Sequence, residues 1–286
     1  MKKVILFGAT GRLGQELAKE LLRQGYELTV VARNDSKAKS IAHITTKYII
    51  ADVCKKDALK NICDSQEIVI STLGKSVSAN DKSKTTFNEV DFIANSNILE
   101  EATKSSIKKF VYISAFHAEK YLHLEYFKTH HQFAELLKTS GLDYSIIKPP
   151  AIFSAFIDMM KMAKKGRLVN IGSGDKLTNP IYEGDLAKVV VSSIDQHNTT
   201  VEVGGKKLYT RKQLNEIIQA EIDSSKKIRT VPLGLFKCSL PVIKFLDKSA
   251  FDKFAFFAEV ISNDTIAPQI GETTFENYVK LKAGTI

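Results

Sequence analysis

Three glycines in the stretch FGATGRLGQ, at positions 8, 11 and 14, stand between a short apolar run and a segment with helical periodicity. In such a turn the first glycine permits a tight bend and the second lets the backbone approach a pyrophosphate. The third lets the helix pack closely against the strand, and the start of the helix adds free N–H donors for phosphate oxygens. At the first strand–helix junction of an alternating chain, this pattern predicts a dinucleotide site. Its predicted residues are Gly8, Thr10, Gly11, Arg12, Leu13 and Gly14.

The end of the second predicted strand indicates which dinucleotide is bound. Selectivity for NAD usually shows as an acidic residue there, hydrogen-bonded to the ribose 2′-hydroxyl. Here Arg33 ends the strand and Lys37 follows closely, while Arg12 in the glycine turn adds another cation. A guanidinium suits a 2′-phosphate because it can donate two parallel hydrogen bonds. NADP, as NADPH, is therefore favoured, and NAD remains the alternative because Asp35 also lies nearby.

Apolar runs alternate with helical patterns over the first half of the chain. The runs are apolar on both faces, which predicts a parallel sheet covered by helices on both sides. The expected fold class is therefore α/β, with a doubly wound parallel sheet. The predicted strands are residues 4–7, 27–33, 48–53, 67–72, 109–114 and 143–148. The predicted helices are residues 12–25, 85–104, 122–140, 153–164, 184–194 and 211–222.

Longer motifs extend this pattern along the chain. The glycine spacing is G-x-x-G-x-x-G, and it is followed by KPPAIF (148–153), by the glycine-rich stretch 162–194 and by a final GETTFENYV (271–279). Together these motifs resemble the atypical and extended short-chain dehydrogenase/reductases, in their NmrA-like, NAD(P)H-binding branch. The resemblance implies a dinucleotide-binding Rossmann domain over residues 1–150. It also implies a smaller, mainly helical substrate-side region over 151–286, with 178–204 packed back on the Rossmann core.

The same resemblance implies further cofactor contacts at the carboxyl ends of the strands, where an open α/β sheet binds its ligands. It places one pair of residues at the adenine and a run of four beside the ribose and nicotinamide. A proline after the sixth strand completes the set. These residues are Asp52 and Val53, then Ser71, Thr72, Leu73 and Gly74, and finally Pro149.

Relatives of this kind carry a tyrosine and a lysine four residues apart on one helix, so that the ammonium lowers the tyrosine pKa. Four residues before Lys128 stands Leu124, which has no proton to give. Tyr144 and Lys148 have the right spacing but lie in a predicted strand, so this pair is rejected.

Counting from the glycine of the SGLDY segment, as the resemblance directs, gives the pair Tyr126 and His130 instead. Lys128 lies between them on another face of the helix and is kept as a candidate. Histidine titrates near neutrality, so it would be a weaker, pH-dependent activator of the tyrosine. Ser114, at the end of the fifth predicted strand, fits the serine that hydrogen-bonds the substrate carbonyl. The alternative is that Tyr126 packs in the core and that His130 and His131 are exposed polar residues.

Two functions follow from the resemblance. The first is an NADPH-dependent reductase of a small carbonyl, quinone or similar acceptor. The second is a catalytically weak NAD(P)-binding redox sensor that acts on a regulatory protein partner. Nucleotide-sugar epimerase or dehydratase chemistry is a more distant alternative, because it normally requires the full tyrosine–lysine pair.

Composition limits the remaining classes of function. The net charge is +9, but the basic pairs are scattered, so nucleic acid is not an expected partner. No apolar run approaches the ~20 residues that a membrane-spanning helix needs. Three cysteines without metal-ligand spacing fit reduced thiols in a cytoplasm, and the histidines lack the partners of a metal site. Composition does not decide whether the chain forms a homodimer.

The last 51 residues contain seven of the sixteen phenylalanines. Aromatic stripes usually pack in a core, which is the preferred interpretation. The alternatives are an apolar substrate lid, an oligomer contact or a face that touches a membrane. The seven residues are Phe236, Phe245, Phe251, Phe254, Phe256, Phe257 and Phe275.

Overall fold

The computed structural model describes residues 1–78 and 80–286. The chain forms two compact units. Unit 1 comprises Met1–Lys75, Lys84–Lys148 and Glu183–Val201. Unit 2 comprises Ser76–Ser83, Pro149–Tyr182 and Glu202–Ile286.

Strands are short and follow the apolar runs of the sequence. The strands that the structure describes are β1 (Lys3–Phe7), β2 (Glu27–Ala32), β3 (Tyr48–Ile50), β4 (Ile68–Ser71), β5 (Lys109–Ile113), β6 (Asp143–Lys148), β7 (Val169–Ile171), β8 (Leu177–Thr178), β9 (Thr199–Glu202), β10 (Tyr209–Thr210) and β11 (Arg229–Val231).

Helices lie between most of these strands. The α-helices that the structure describes are α1 (Arg12–Arg23), α2 (Asp35–Lys39), α3 (Asn95–Lys104), α4 (Glu125–Lys138), α5 (Ile157–Lys164), α6 (Glu183–Ser192), α7 (Arg211–Asp223), α8 (Leu233–Leu246), α9 (Lys248–Ser262) and α10 (Phe275–Ala283). Shorter 3₁₀ turns cover Lys56–Leu59, Ala118–Lys120, Phe153–Phe156 and Ser193–Asp195, and a π-helix covers Asn88–Ala94.

Unit 1 is built on one sheet with the strand order β3-β2-β1-β4-β5-β6-β9. Neighbouring strands from β3 to β6 are parallel. Residues 4 to 7 of β1 are completely buried, because helices cover the sheet. One helical layer pairs α1 with α6, and another pairs α4 with α3 and the π-helix. This confirms the predicted doubly wound Rossmann fold, and the reversal of strand order between β1 and β4 is where such sheets bind ligands.

Two predicted elements of unit 1 differ from the structure. The strand expected over 48–53 ends at Ile50, because Asp52 begins a turn in which its carbonyl accepts from the Lys55 amide at 2.9 Å. The helix expected over 85–104 begins as the π-helix and becomes α3 only at Asn95. The Asn95 side-chain amide donates to the Asp91 carbonyl at 2.9 Å, and a side chain that enters the backbone ladder widens a helix in this way.

Unit 2 has a separate core between α5, α7 and α10. Phe153 and Phe275 are fully buried there, with their ring centroids 5.2 Å apart. Two small sheets, one of β8 with β10 and one of β7 with β11, border this core. The side-chain amide of Asn179 donates to the Ala267 carbonyl at 2.7 Å and so ties the last loop to the unit.

The phenylalanine-rich segment is not the uniform core that the sequence favoured. Phe275 is buried, but Phe245 is 90% exposed, and the remaining five are partly buried in α8 and α9. None of the residues of α8 is buried. Within residues 1–78 and 80–286, no helix has both the length and the apolar character needed to cross a membrane.

Candidate functional site

The glycine turn joins β1 to α1 in unit 1. Gly8 has a positive φ of 82°, and a Cβ there would lie 2.5 Å from Thr72 Oγ1. A Cβ on Gly14 would lie 2.2 Å from the Gly8 carbonyl oxygen, so the helix could not approach the strand so closely. A Cβ on Gly11 would have only that same oxygen within 4 Å, at a distance of 3.3 Å, and Gly11 itself is exposed. Its missing side chain therefore leaves room on the outer side of the turn.

The first turn of α1 is suited to an anion. Gly11 occupies the N-cap position and provides no side-chain acceptor, and no acidic residue stands in the first turn. Arg12 is exposed, and Leu13 is buried. The free N–H groups of a helix start and its positive dipole end bind phosphate well. These residues fit the pyrophosphate of a dinucleotide.

The carboxyl end of β4 lies beside the carboxyl end of β1, next to the glycine turn. The Thr72 amide and hydroxyl both donate to the Phe7 carbonyl, at 3.0 and 3.1 Å. The buried Ser71 hydroxyl donates to Asn95 Oδ1 at 2.6 Å. Both hydroxyls predicted to lie beside the ribose thus hold strand ends and helices together. What the segment offers a ligand is its backbone, which continues into the partly exposed Leu73 and the exposed Gly74.

Positively charged side chains follow the end of β2, where the predicted preference for NADPH requires them. Arg33 and Lys37 are exposed, and Asn34 caps α2 by accepting from the Lys37 amide at 3.0 Å. That cap fixes the backbone between the two cations. Asp35 lies in the first turn of α2, where a carboxylate is favoured by the helix dipole. Its presence at this position has a structural reason apart from cofactor choice.

Asp52 and Val53, the two residues predicted to contact the adenine, follow the end of β3. Val53 is buried, and Asp52 accepts from the Cys54 amide at 3.2 Å. Cys54 is half-buried, and burial together with the Asp52 charge raises the pKa of its thiol, while the charge of Arg33 lowers it. Asp52, Cys54 and Arg33 therefore share one neighbourhood at this sheet edge.

Ser114, directly after β5, has a buried side chain whose hydrogen-bonding capacity is unused. Its side chain is only 4% exposed, and its hydroxyl makes no hydrogen bond to any residue within 1–78 and 80–286. A buried hydroxyl without a partner costs about 1–3 kcal/mol. Its backbone amide is engaged, donating to the Ile147 carbonyl at 2.8 Å. The side chain is thus fixed at a strand end with an unused donor, which fits a group that binds a substrate oxygen.

Tyr126 and His130 share one face of α4, as the predicted register requires. Their ring centroids are 4.7 Å apart, with Tyr126 half-buried and His130 buried. Lys128 is exposed, so the structure does not bring it to the other two. Pro149 lies at the start of a segment of unit 2.

Three buried residues around His130 were missed by the sequence analysis. His130 Nδ1 is hydrogen-bonded to the Tyr112 hydroxyl at 2.6 Å, and His130 Nε2 lies 3.8 Å from Asp91 Oδ2. Asp91 Oδ1 accepts from the Lys75 amide at 2.6 Å, whereas its Oδ2 has no hydrogen-bond partner in the described part of the chain. The one available signal was an acidic residue within the apolar stretch NEVDFIANSNIL. Because the sequence cannot tell which face of a helix is buried, that signal was not decisive.

Burial sets the ionisation of this group of residues. It lowers the pKa of His130 to about 4, so the imidazole is neutral at pH 7. This corrects the expectation that His130 titrates near neutrality. Burial, and then the charge of Asp91, raise the pKa of Tyr126, and burial also raises the pKa of Asp91 itself. His130 therefore supplies no positive charge that would lower the pKa of Tyr126, which keeps its proton at neutral pH.

Comparisons with known proteins agree with this geometry. A family model described as NAD(P)H-binding matches residues 8–197. A photosystem II assembly factor, Ycf39, of Trieres chinensis is 21% identical over 98% of this chain and 87% of its own length. A chloroplastic divinyl chlorophyllide a 8-vinyl-reductase of Cucumis sativus is 28% identical over 86% of this chain, which covers 63% of that relative.

Among solved structures, an NADPH-dependent quinone oxidoreductase of Escherichia coli, complexed with NADPH, has a TM-score of 0.70. It is 20% identical, and the match covers 97% of this chain and 99% of that one. At this identity the likeness shows the fold. Since the family model spans well over half of the chain and includes the whole glycine turn, the protein belongs to the NAD(P)H-binding, NmrA-like branch of the atypical short-chain dehydrogenase/reductases.

Proposed function

We propose that the protein is an NADPH-dependent reductase of a small carbonyl, quinone or similar acceptor. The observation that carries the reaction is the buried, unpartnered hydroxyl of Ser114 at the carboxyl end of β5. Membership of the family supports an oxidoreductase that binds NAD(P)H. The vinyl-reductase among the sequence relatives and the quinone oxidoreductase among the similar structures support reduction as the direction of the reaction.

The glycine turn would hold the pyrophosphate through the backbone N–H groups at the start of α1. Arg33 and Lys37 would bind the 2′-phosphate, which is why NADPH is proposed over NADH. Both cations are exposed, and no ion pair of either is found within residues 1–78 and 80–286. The cytoplasm is the proposed compartment, on the ground that Cys54, Cys63 and Cys238 are free thiols.

Bound NADPH supplies a hydride to the acceptor. The Ser114 hydroxyl would donate a hydrogen bond to the acceptor oxygen and so stabilise the charge that develops there. Tyr126 keeps its proton at neutral pH and would donate it to that oxygen. His130, held by Tyr112, would position the Tyr126 ring through their face-to-edge contact. The acceptor gains a hydride and a proton, and the tyrosinate is reprotonated from solvent.

A redox sensor is the second candidate, and the state of His130 favours it. A neutral imidazole does not make Tyr126 more acidic, so proton transfer would be slower than in relatives with lysine. The assembly factor among the relatives has a name that describes assembly, not a reaction. In this alternative NADPH binds and the protein acts on a partner without turnover.

The deciding experiment measures NADPH oxidation against aldehydes, ketones and quinones, and then compares variants on the best acceptor. We expect Tyr126→Phe to lower kcat by roughly 10²-fold or more, the usual contribution of a general acid. Tyr144→Phe is the matched control, because Tyr144 lies in β6 with Lys148 four residues later and has no role in the proposed reaction. Equal turnover of wild type and Tyr126→Phe would refute the assigned role. NADPH binding without turnover on any acceptor would favour the sensor.

A further inference from the structure

Helix α8 of unit 2 has an apolar stripe that nothing in the proposed reaction uses. Leu235, Cys238, Val242 and Phe245 follow each other at intervals of three, four and three, so they lie on one face of the helix. Leu235 is 67%, Val242 62% and Phe245 90% exposed, and Leu246, at the edge of the stripe, is 76% exposed. Large apolar side chains grouped in this way on a surface mark an interaction site.

The opposite face of α8 is already in use. Its inner side packs against α9, where the ring centroids of Phe236 and Phe254 are 6.1 Å apart. Asp247 ends α8 and caps α9 by accepting from the Ala250 amide at 3.0 Å. The stripe therefore lies on the outer side of a fixed helical hairpin.

Charge decides which kind of partner the stripe fits. Residues 233–246 contain no aspartate or glutamate but two lysines, Lys237 and Lys244, seven residues apart and so in line along one flank of the helix, about 100° around its axis from Cys238 and Phe245. Both are exposed, and Lys244 also lies 5.2 Å from the ring centroid of Phe251. A second copy of the chain would carry the same cations and the same net charge of +9, and the repulsion of like charges opposes that pairing. An anionic partner is favoured instead.

We propose that α8 docks the protein on the surface of an anionic lipid membrane. The stripe would enter the boundary between headgroups and acyl chains, and the long lysine side chains would reach the lipid phosphates from the flank of the helix. A helix of 14 residues is about 21 Å long, too short to span a bilayer but suited to lying in its plane. The stripe carries no side-chain amide, carboxylate or hydroxyl, so it has apolar surface and flanking charge but no group for specific hydrogen bonds.

The test is cosedimentation of the full chain with vesicles of phosphatidylcholine alone or of an equimolar mixture with phosphatidylglycerol. Binding is expected to the anionic vesicles only and to weaken in ~1 M salt, where the screening length falls to about 3 Å. Leu235→Ser with Phe245→Ser should weaken binding about tenfold or more through lost apolar burial. Lys237→Glu with Lys244→Glu should weaken it by at least about tenfold through the reversed charge.

Matched controls separate the stripe from general surface properties. Leu208→Ser with Leu281→Ser removes two exposed leucines of unit 2 elsewhere, and Lys60→Glu with Lys280→Glu makes the same change of charge on other elements. Both control pairs should bind like the wild type, and circular dichroism should show that all variants fold.

Binding that none of the stripe variants alters would overturn the proposal. So would a dimer in analytical ultracentrifugation that the serine pair dissociates, with no vesicle binding, since the stripe would then bind a second copy. Loss of NADPH turnover in the serine pair, again without vesicle binding, would assign the stripe to the catalytic cycle instead. Vesicle binding does not depend on cofactor binding, so this proposal and the proposed reaction can fail separately.

Discussion

At the scale of single residues, a histidine at position 130, where the family resemblance implies a lysine, changes the chemistry proposed for the candidate site. A lysine at this position would be cationic and would make the tyrosine more acidic. His130 is buried between the Tyr112 hydroxyl and the Asp91 carboxyl, and its imidazole is neutral at pH 7. In the proposed reaction the site would therefore rely on position and on the intact proton of Tyr126, not on a lowered tyrosine pKa.

This environment predicts an acid-sensitive contribution to stability. The pKa of His130 is about 4 in the folded protein and 6.5 ordinarily, so between these values the unfolded chain binds more protons than the folded one. The contribution is complete above pH 6.5 and is lost as pH falls towards 4, by about 3 kcal/mol in all. Burial of Asp91 acts in the opposite sense, since its raised pKa stabilises the folded state at low pH and destabilises it as pH rises.

The test is urea unfolding of wild type and His130→Asn at several values between pH 7 and 4.5. The difference between their free energies of unfolding reports the effect of His130, because the contribution of Asp91 is common to both proteins and largely cancels. The asparagine oxygen can still accept from Tyr112 but does not titrate. We expect the free energy of unfolding to fall less steeply with acid in this variant. His131→Asn is the neighbouring control and should keep the wild-type slope. Identical slopes for wild type and His130→Asn would contradict the buried, neutral state of His130.

Cofactor choice is also argued at this scale, through Arg33. If its guanidinium binds the 2′-phosphate, Arg33→Ala should raise the Kd for NADPH about 10- to 100-fold, the effect of losing a charge-assisted pair of hydrogen bonds. The Kd for NADH should change by less than about threefold, since NADH has no phosphate there. The chain lacks tryptophan, so the fluorescence of the reduced cofactor can be titrated directly. Arg167→Ala, an exposed arginine of unit 2, serves as control, and an equal loss for both cofactors would refute the role of Arg33.

At the scale of elements, the sequence predicted what local periodicity determines. The strands β1 to β6 and the glycine turn follow from apolar runs and from backbone conformations that only glycine adopts easily. The π-helix could not be predicted, because it depends on Asn95 meeting Ser71 of another element. Asp91 was missed for the same reason. The apolar residues of α8 suggested burial, but a pattern does not reveal whether a partner element covers them.

The glycine turn predicts two distinct effects within one element. Gly14→Ala places a Cβ 2.2 Å from the Gly8 carbonyl oxygen, and backbone cannot yield easily, so the free energy of unfolding should fall by at least about 2 kcal/mol. In Gly11→Ala the added Cβ has only one atom nearby, at 3.3 Å, so the fold should persist. NADPH should bind at least about tenfold more weakly, because the second glycine lets the backbone approach the pyrophosphate. Gly284→Ala is the control, with no atom within 4 Å of its added Cβ. Unchanged NADPH affinity in Gly11→Ala would show that the turn does not approach the cofactor.

At the scale of the whole molecule, two proposed ligands are assigned to different units. The dinucleotide belongs to the carboxyl edge of the sheet in unit 1, and the lipid surface belongs to α8 in unit 2. The first site is built from backbone, glycine and buried hydroxyls. The second consists of exposed apolar side chains beside lysines. Because the two proposed sites share no residue, we expect each ligand to bind without the other.

Hydrogen exchange of the full chain tests both assignments in one experiment. NADPH at about 100 times its Kd should stabilise the folded state by about 2.7 kcal/mol and slow exchange in peptides containing residues 8–14, 33–37 and 71–74. Vesicles with phosphatidylglycerol should slow exchange in residues 233–246 and leave the glycine turn unchanged. Vesicles of phosphatidylcholine are the control for the second effect, and NADH is the control for the contribution of the 2′-phosphate to the first. Protection of α8 by NADPH, with none at the glycine turn, would contradict both assignments, because the nucleotide would then bind where the charge and the apolar stripe were assigned to lipid.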